Sequence, residues 1–168
     1  MMQSFRLLIS ALVLAASASV AIAQGTQVPF GGLQHDTSLP VEISADQLSI
    51  NQSDGTAVFS GNVLIGQGSL RLSAGTVLVE YSAGEGQSTG QIARLLASGG
   101  ITLVNGAEAA EAQEAEYTID TGTIILIGNV ILTQGANVIS SERMVINLNS
   151  GIATLDGRVQ TIFQTGGN

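Results

Sequence analysis

Ala57-Val58-Phe59-Ser60-Gly61-Asn62-Val63-Leu64-Ile65-Gly66-Gln67-Gly68 is the stretch that decides the fold, because the chain returns to its centre three more times. Gly61-Asn62-Val63 reappears as Gly99-Gly100-Ile101, Gly128-Asn129-Val130 and Gly157-Arg158-Val159. The last two steps are equal and the first is longer. Three copies have a further glycine six positions upstream, at Gly55, Gly122 and Gly151. A fixed period of roughly 29 residues marks a repeated supersecondary unit that cannot bury its apolar face alone and must stack on its neighbours.

Within each copy apolar residues alternate, which is the period of a strand with one buried face. Phe59, Gly61, Val63 and Ile65 share one parity, and Ala97, Gly99, Ile101 and Leu103 match them. So do Leu126, Gly128, Val130 and Leu132, and then Leu155, Gly157, Val159 and Thr161. A glycine recurring between inward residues predicts that successive strands turn a corner at stacked positions.

Second strands fall between the copies, at Leu70 and Leu72, at Val77, Val79 and Tyr81, and at Met144, Ile146 and Leu148. Turns are signalled at Ser53-Asp54-Gly55, Asn105-Gly106, Asp120-Thr121-Gly122 and Asn149-Ser150-Gly151. The longer first step is assigned to an inserted Gly/Ser/Glu loop over Ser82 to Gly90. Ala107 to Glu116 is rich in Ala and Glu and has helix propensity. The shift that carries Ala45 onto Ala112 nevertheless also carries Leu48 onto Ala115 and Ile50 onto Tyr117. The same shift matches Gly55, Gly61, Asn62, Val63, Gln67 and Gly68 with identical residues. The repeat predicts strand from about Ala112 and no helix. The fold class is all-β, built of stacked antiparallel hairpins. Its inner face comprises Val41, Ile43, Leu48, Ile50, Phe59, Val63, Ile65, Tyr81, Tyr117, Ile119, Val130 and their repeat partners, with Glu42, Arg71, Glu80 and Thr118 outward.

Residues 1–23 read as a cleaved signal peptide: Arg6, then the apolar or small run Leu7 to Val20, then Ala21-Ile22-Ala23. That run is short of the ~20 residues needed to span a bilayer. Residues 24–38, rich in Gly, Gln and Thr, are expected to form a flexible lead, and 39–165 a single domain that begins near Leu39-Pro40. Without Arg6 the chain has four Arg, no Lys and 13 carboxylates, a net −9, which disfavours nucleic acid.

No catalytic or metal constellation is legible, and no cofactor is expected. Cys is absent and the single His35 lies in the lead. Glu114 and Glu116 share the outer face of a strand, where carboxylates are solvated, and Glu108, Glu111 and Glu114 match no calcium loop. An enzyme is not expected. What remains is an apolar interior, which either fills a core or lines a groove; residue position does not separate the two.

Pro40-Val41-Glu42-Ile43-Ser44-Ala45-Asp46 followed by Ala57 to Gly68 resembles the OstA-like family, over Leu39 to about Phe163. The resemblance implies a twisted antiparallel β-jellyroll with open ends and an apolar groove, in a non-catalytic periplasmic protein that passes lipopolysaccharide, by its lipid A acyl chains, from inner to outer membrane. By parity, the residues that would line the groove are Val41, Ile43, Phe59, Val63, Ile65, Tyr81, Tyr117, Ile119 and Val130. The partners implied are an inner-membrane anchored LptC-like protein, an outer-membrane LptD-like jellyroll and further copies of the chain, stacked head to tail. The edges expected to mediate stacking carry Val41 and Ile43 at one end and Arg158, Val159, Thr161 and Phe163 at the other. The chain departs from the typical member in lacking Lys, so phosphorylated head groups are expected to remain in solvent. The competing readings are an LptC-like member of the same system and a structural β-repeat scaffold with a dry core.

Overall fold

Eleven strands form one continuous antiparallel sheet in a computed structural model that describes residues 25–30, 36–84 and 87–163. They are β1 (Thr26–Pro29), β2 (Glu42–Ser44), β3 (Gln47–Asn51), β4 (Thr56–Gln67), β5 (Leu70–Gly84), β6 (Gln87–Asn105), β7 (Glu108–Thr118), β8 (Thr123–Gln134), β9 (Asn137–Asn147), β10 (Ile152–Asp156) and β11 (Gln160–Ile162). The described residues contain no helix. Ala107 to Glu116 is a turn and a strand, and β7 starts at Glu108, earlier than the repeat predicts. Pairing on both sides, with β6 and β8, outweighs the weak intrinsic preference of Ala and Glu.

The glycine phrases are stacked β-bulges that crease the sheet along one line. Ser60 pairs with Thr76 and Val63 with Ala74, so Gly61 and Asn62 together oppose Gly75 alone. Gly99-Gly100 oppose Gln113 in the same way, and Gly128-Asn129 oppose Gln113 on one side and Glu142 on the other. At the two borders the opposing strand is broken outright. Asp46 N–H donates to the Gly61 carbonyl between β2 and β3, and Glu142 N–H donates to the Gly157 carbonyl between β10 and β11, each at 2.9 Å.

All four glycines have left-handed backbone, with φ of 78°, 86°, 83° and 77°. The next residue does too: among the described residues, the non-glycine positions with positive φ are Asn62, Asn129 and Arg158. Two of those are Asn, which tolerates this region through local hydrogen bonding. Asn62 Nδ2 donates to Asp46 Oδ2 at 2.8 Å.

The crease divides the sheet into two facing layers. Layer A holds β2, the Val63–Gln67 half of β4 and its repeat equivalents, and ends at β11. Layer B holds β3, the Thr56–Ser60 half of β4 and its equivalents, and ends at β10 and β1. A two-residue bulge keeps side-chain parity and a one-residue bulge reverses it. In β5, therefore, Leu70, Leu72 and Ala74 are buried before the crease and Val77 and Val79 after it. In β4 the buried Ala57, Val63 and Ile65 stay on odd numbers throughout. Both layers thus turn their apolar residues to a shared interior, and the buried residues form one cluster.

Three expectations change. The lead is not outside the fold: Thr26–Pro29 pair with Leu155–Ile152, and Phe30 is buried. The domain therefore begins before Leu39, and β1 rather than β10 borders layer B. The insertion is not a loop, since Ala83 pairs with Ser88 and Gly84 with Gln87, which lengthens the β5–β6 hairpin. Leu48 and Ile50 sit opposite Phe59 and Ala57, on the inner side by register, but are 53% and 64% exposed because β3 is an edge with no strand beyond it. The strand at the C-terminal edge is β11, which pairs with β9. Residues 1–23, His35 and residues 164–168 lie outside the described residues.

Candidate functional site

The interior between the layers is the extended apolar space that the repeat builds, and the expected site residues gather on it. Val63, Ile65, Tyr117 and Val130 are buried. Val41, Ile43, Phe59, Tyr81, Ile119 and Val159 are partly buried and pack against the same cluster. Thr161 and Phe163 follow at alternate positions on the inner side of the C-terminal edge, with Phe163 70% exposed, and Arg158 is exposed at the crease.

Each open end therefore shows unpaired strand and inward-parity apolar side chains. Ile43, Leu48 and Ile50 mark one end; Val28, Val159 and Phe163 mark the other. An open hollow of about 530 Å³ flanks β2, lined by Leu39, Pro40, Glu42, Ile43, Ser44, Leu64, Gly66, Gly68 and Arg71.

The expectation of a standing groove is corrected in one respect: the layers are in contact. The enclosed pocket bounded by Ile65, Leu70, Leu72, Leu95, Ala97, Ala115, Tyr117 and Ile124 is about 10 Å³, no more than a water needs. The mouth between the layers is the long side opposite the crease.

That mouth is closed by polar contacts. Tyr117 Oη, from layer B, donates to Gln67 Oε1, from layer A, at 2.6 Å. Gln67 Nε2 in turn donates to the carbonyls of Thr37 and Leu39, at 3.0 and 2.9 Å. Gln134 Nε2 donates to the Pro29 carbonyl and to Glu108 Oε1. By register, Gln67, Leu70, Asn105, Glu108 and Gln134 form one row along the layer A rim. Reasoning from the sequence missed this carboxamide rim. Its trace was the identity of Gln67-Gly68 and Gln134-Gly135 when the first repeat is laid on the second.

Burial pushes the Tyr117 phenol up to about 12. The folded state thus favours the neutral phenol. Stability should hold below pH 10 and fall as the pH rises from 10 towards 12, where the unfolded chain ionises this group and the folded one does not. The slope relative to Tyr117→Phe should approach about 1.4 kcal/mol per pH unit. Urea midpoints of the two proteins across that range provide the check; parallel curves would contradict the assignment.

On the outer face of layer B, Arg94 bridges Glu80 at 2.7 Å and Glu116 at 3.1 Å. Glu80 and then Glu116, as hydrogen-bonded carboxylates, raise the Arg94 pKa. The described residues contain no group of three His, Cys, Asp or Glu arranged to hold a metal.

A protein-family profile described as LptA/(LptD N-terminal domain) LPS transport protein matches residues 42–152, more than half of the chain. The chain belongs to this family. It is 36% identical over 150 residues to the uncharacterized protein R00383 of Rhizobium meliloti, covering 85% of this chain and 81% of that one. It is 34% identical over 74 residues to the lipopolysaccharide export system protein LptA of Escherichia coli K12, covering 44% of this chain and 37% of LptA. In fold it matches the crystal structure of LptH, the LptA-homologous periplasmic component of the lipopolysaccharide transport device of Pseudomonas aeruginosa. That match has a TM-score of 0.66 at 19% identity and covers 77% of this chain and 98% of LptH. The creased, open-ended sheet is thus the jellyroll of the OstA-like family.

Proposed function

We propose that this protein is a periplasmic, non-catalytic bridge that carries lipopolysaccharide from inner to outer membrane, holding lipid A acyl chains between its two layers. The observation that supports this most is the continuity of the apolar interior, which runs from edge to edge and ends on both sides in exposed apolar side chains beside unpaired strands. Burial of acyl chains contributes ~0.8 kcal/mol per CH₂ without directional contacts, so a bound chain retains freedom to slide. Head groups stay in solvent beside a surface with a net charge of −8 for the full sequence. Export by residues 1–23 is part of the same proposal.

The ends serve assembly. Copies stack head to tail, β2 of one against β11 of the next, and terminal copies meet an LptC-like and an LptD-like jellyroll. Two different edges make a heterologous contact that does not close on itself. Glu42 beside one edge and Arg158 beside the other give the stack a polarity. Thr161→Pro, placed in the centre of β11, should leave a folded monomer, whereas wild-type mass should grow with concentration in light scattering. Wild-type protein that stays monomeric throughout would remove the stacking mechanism.

The packed interior favours a second reading, a scaffold with a dry core. A fluorescent long-chain acyl probe separates the two: the bridge binds it in saturable fashion, and the scaffold does not.

A further inference from the structure

The carboxamide rim of layer A holds one stretch of chain at two points. At one point β1 lies on β10, Phe30 N–H donates to the Gly151 carbonyl at 2.8 Å, and the Phe30 side chain is 1% exposed within the core cluster. Gln134 Nε2 there donates to the carbonyl of Pro29. At the other point Gln67 Nε2 donates to the carbonyls of Thr37 and Leu39. Gln67 and Gln134 are the last residues of β4 and β8 and occupy equivalent places in the two repeats. Four strand spacings, about 19 Å, separate them across the sheet. Two copies of one repeat position therefore do the same work on the same segment, offering an amide N–H to its backbone carbonyls.

The pattern has a chemical counterpart. An apolar group inside the trough, with a carbonyl presented to an amide donor at the rim, is also what a fatty acyl chain in amide or ester linkage presents. We propose that Pro29–Phe30 and Thr37–Leu39 are a built-in surrogate for the ligand, displaced when an amide- or ester-linked acyl chain takes the interior space of Phe30 and the rim donors Gln67 and Gln134. This rests on the lipid-carrying reading and adds to it how the closed interior opens and which polar contacts fix the head of the chain.

The exchange replaces like with like at the rim and in the interior, and its cost is the β1–β10 pairing. Asp36, Ser38, Leu39 and Pro40 are exposed and Thr37 is half-buried, so few apolar contacts hold that end. The carboxamide bonds are remade with the incoming carbonyls. The burial lost by Phe30 is regained by methylenes.

The test is amide hydrogen exchange on the full chain, with and without a saturating fluorescent N-acyl probe of palmitoyl length. The paired amides of β1 and that of Phe30, which donates to the Gly151 carbonyl, should exchange at least tenfold faster with the probe bound, while the core of β7 and β8 is unchanged. Phe30→Ala should bind the probe about tenfold more tightly than wild type, because the competent state no longer competes with the plug. If that variant does not fold, the wild-type exchange experiment decides alone. Probe binding with protection of β1 and Phe30 retained, or with equal affinity in a folded Phe30→Ala, overturns the surrogate and leaves the lipid reading standing. No probe binding by wild type or by folded Phe30→Ala removes the lipid reading and the surrogate with it.

Discussion

Gly99→Val should destabilise the protein by about 3 kcal/mol and lower its melting temperature by roughly 10 °C. Two costs add at this position. Its φ of +86° is a conformation that a β-branched residue avoids, and a side chain built on it would lie 3.1 Å from the Cα of Gly75. The obstruction is backbone on a paired strand, and Gly75 faces Gly99 just as closely, with the Gly99 carbonyl oxygen 3.2 Å from a Cβ placed on Gly75. Neither side has a flexible group that can move away. Gly100→Asn is the matched control. Its φ is also positive, but nothing lies within 4 Å, and Asn occupies the corresponding place at Asn62 and Asn129. That variant should lose less than about 1 kcal/mol. Thermal denaturation of both checks the crease, and equal losses would mean that backbone proximity is not what selects glycine at Gly99.

Ile43→Asp should weaken binding of the acyl probe about a hundredfold while the chain still folds. Ile43 lies in the short edge strand β2, only partly buried, so the apo protein can hydrate the new carboxylate at the sheet border. An acyl chain threaded past the same border removes that water and leaves an unpaired charge against hydrocarbon, a cost of several kcal/mol. Ile119, which donates its backbone N–H to the Ala93 carbonyl at 3.1 Å, is the equivalent test in layer B. Circular dichroism establishes folding, and probe titration reads the effect. Wild-type binding by folded Ile43→Asp would exclude this border from the lipid path.

The repeat made most of this architecture legible. Parity alone placed Val63, Ile65, Val77, Val79, Tyr117 and Val130 on one face, and the recurrent glycine announced the corner. What parity does not carry is coverage. Leu48 and Ile50 have the right sign, but whether a side chain is buried depends on a strand beyond it, and β3 has none. The border strand β1 escaped notice for a related reason. Thr26–Pro29 is too short to show an alternation, and only Val28 and Phe30 mark its inner face. Ser82 to Gly90 misleads by composition, since its small residues signal a loop where they extend a hairpin. The rim escaped because an amide at a strand end is ordinary in sequence. Its role appears only when Thr37, Leu39 and Pro29 are brought to it from far along the chain.

The crease also works as a ruler. With each repeat the chain adds one strand bulged by two residues and one bulged by one, and returns to the same phase. The trough therefore lengthens in whole hairpins, each about 9.6 Å along the stacking direction, and no intermediate length keeps both layers apolar inside. Additional paired residues at a hairpin end, as in β5 and β6, widen the protein without changing that measure. Length is met by counting identical hairpins, so the length of the trough and the separation of its layers are set independently.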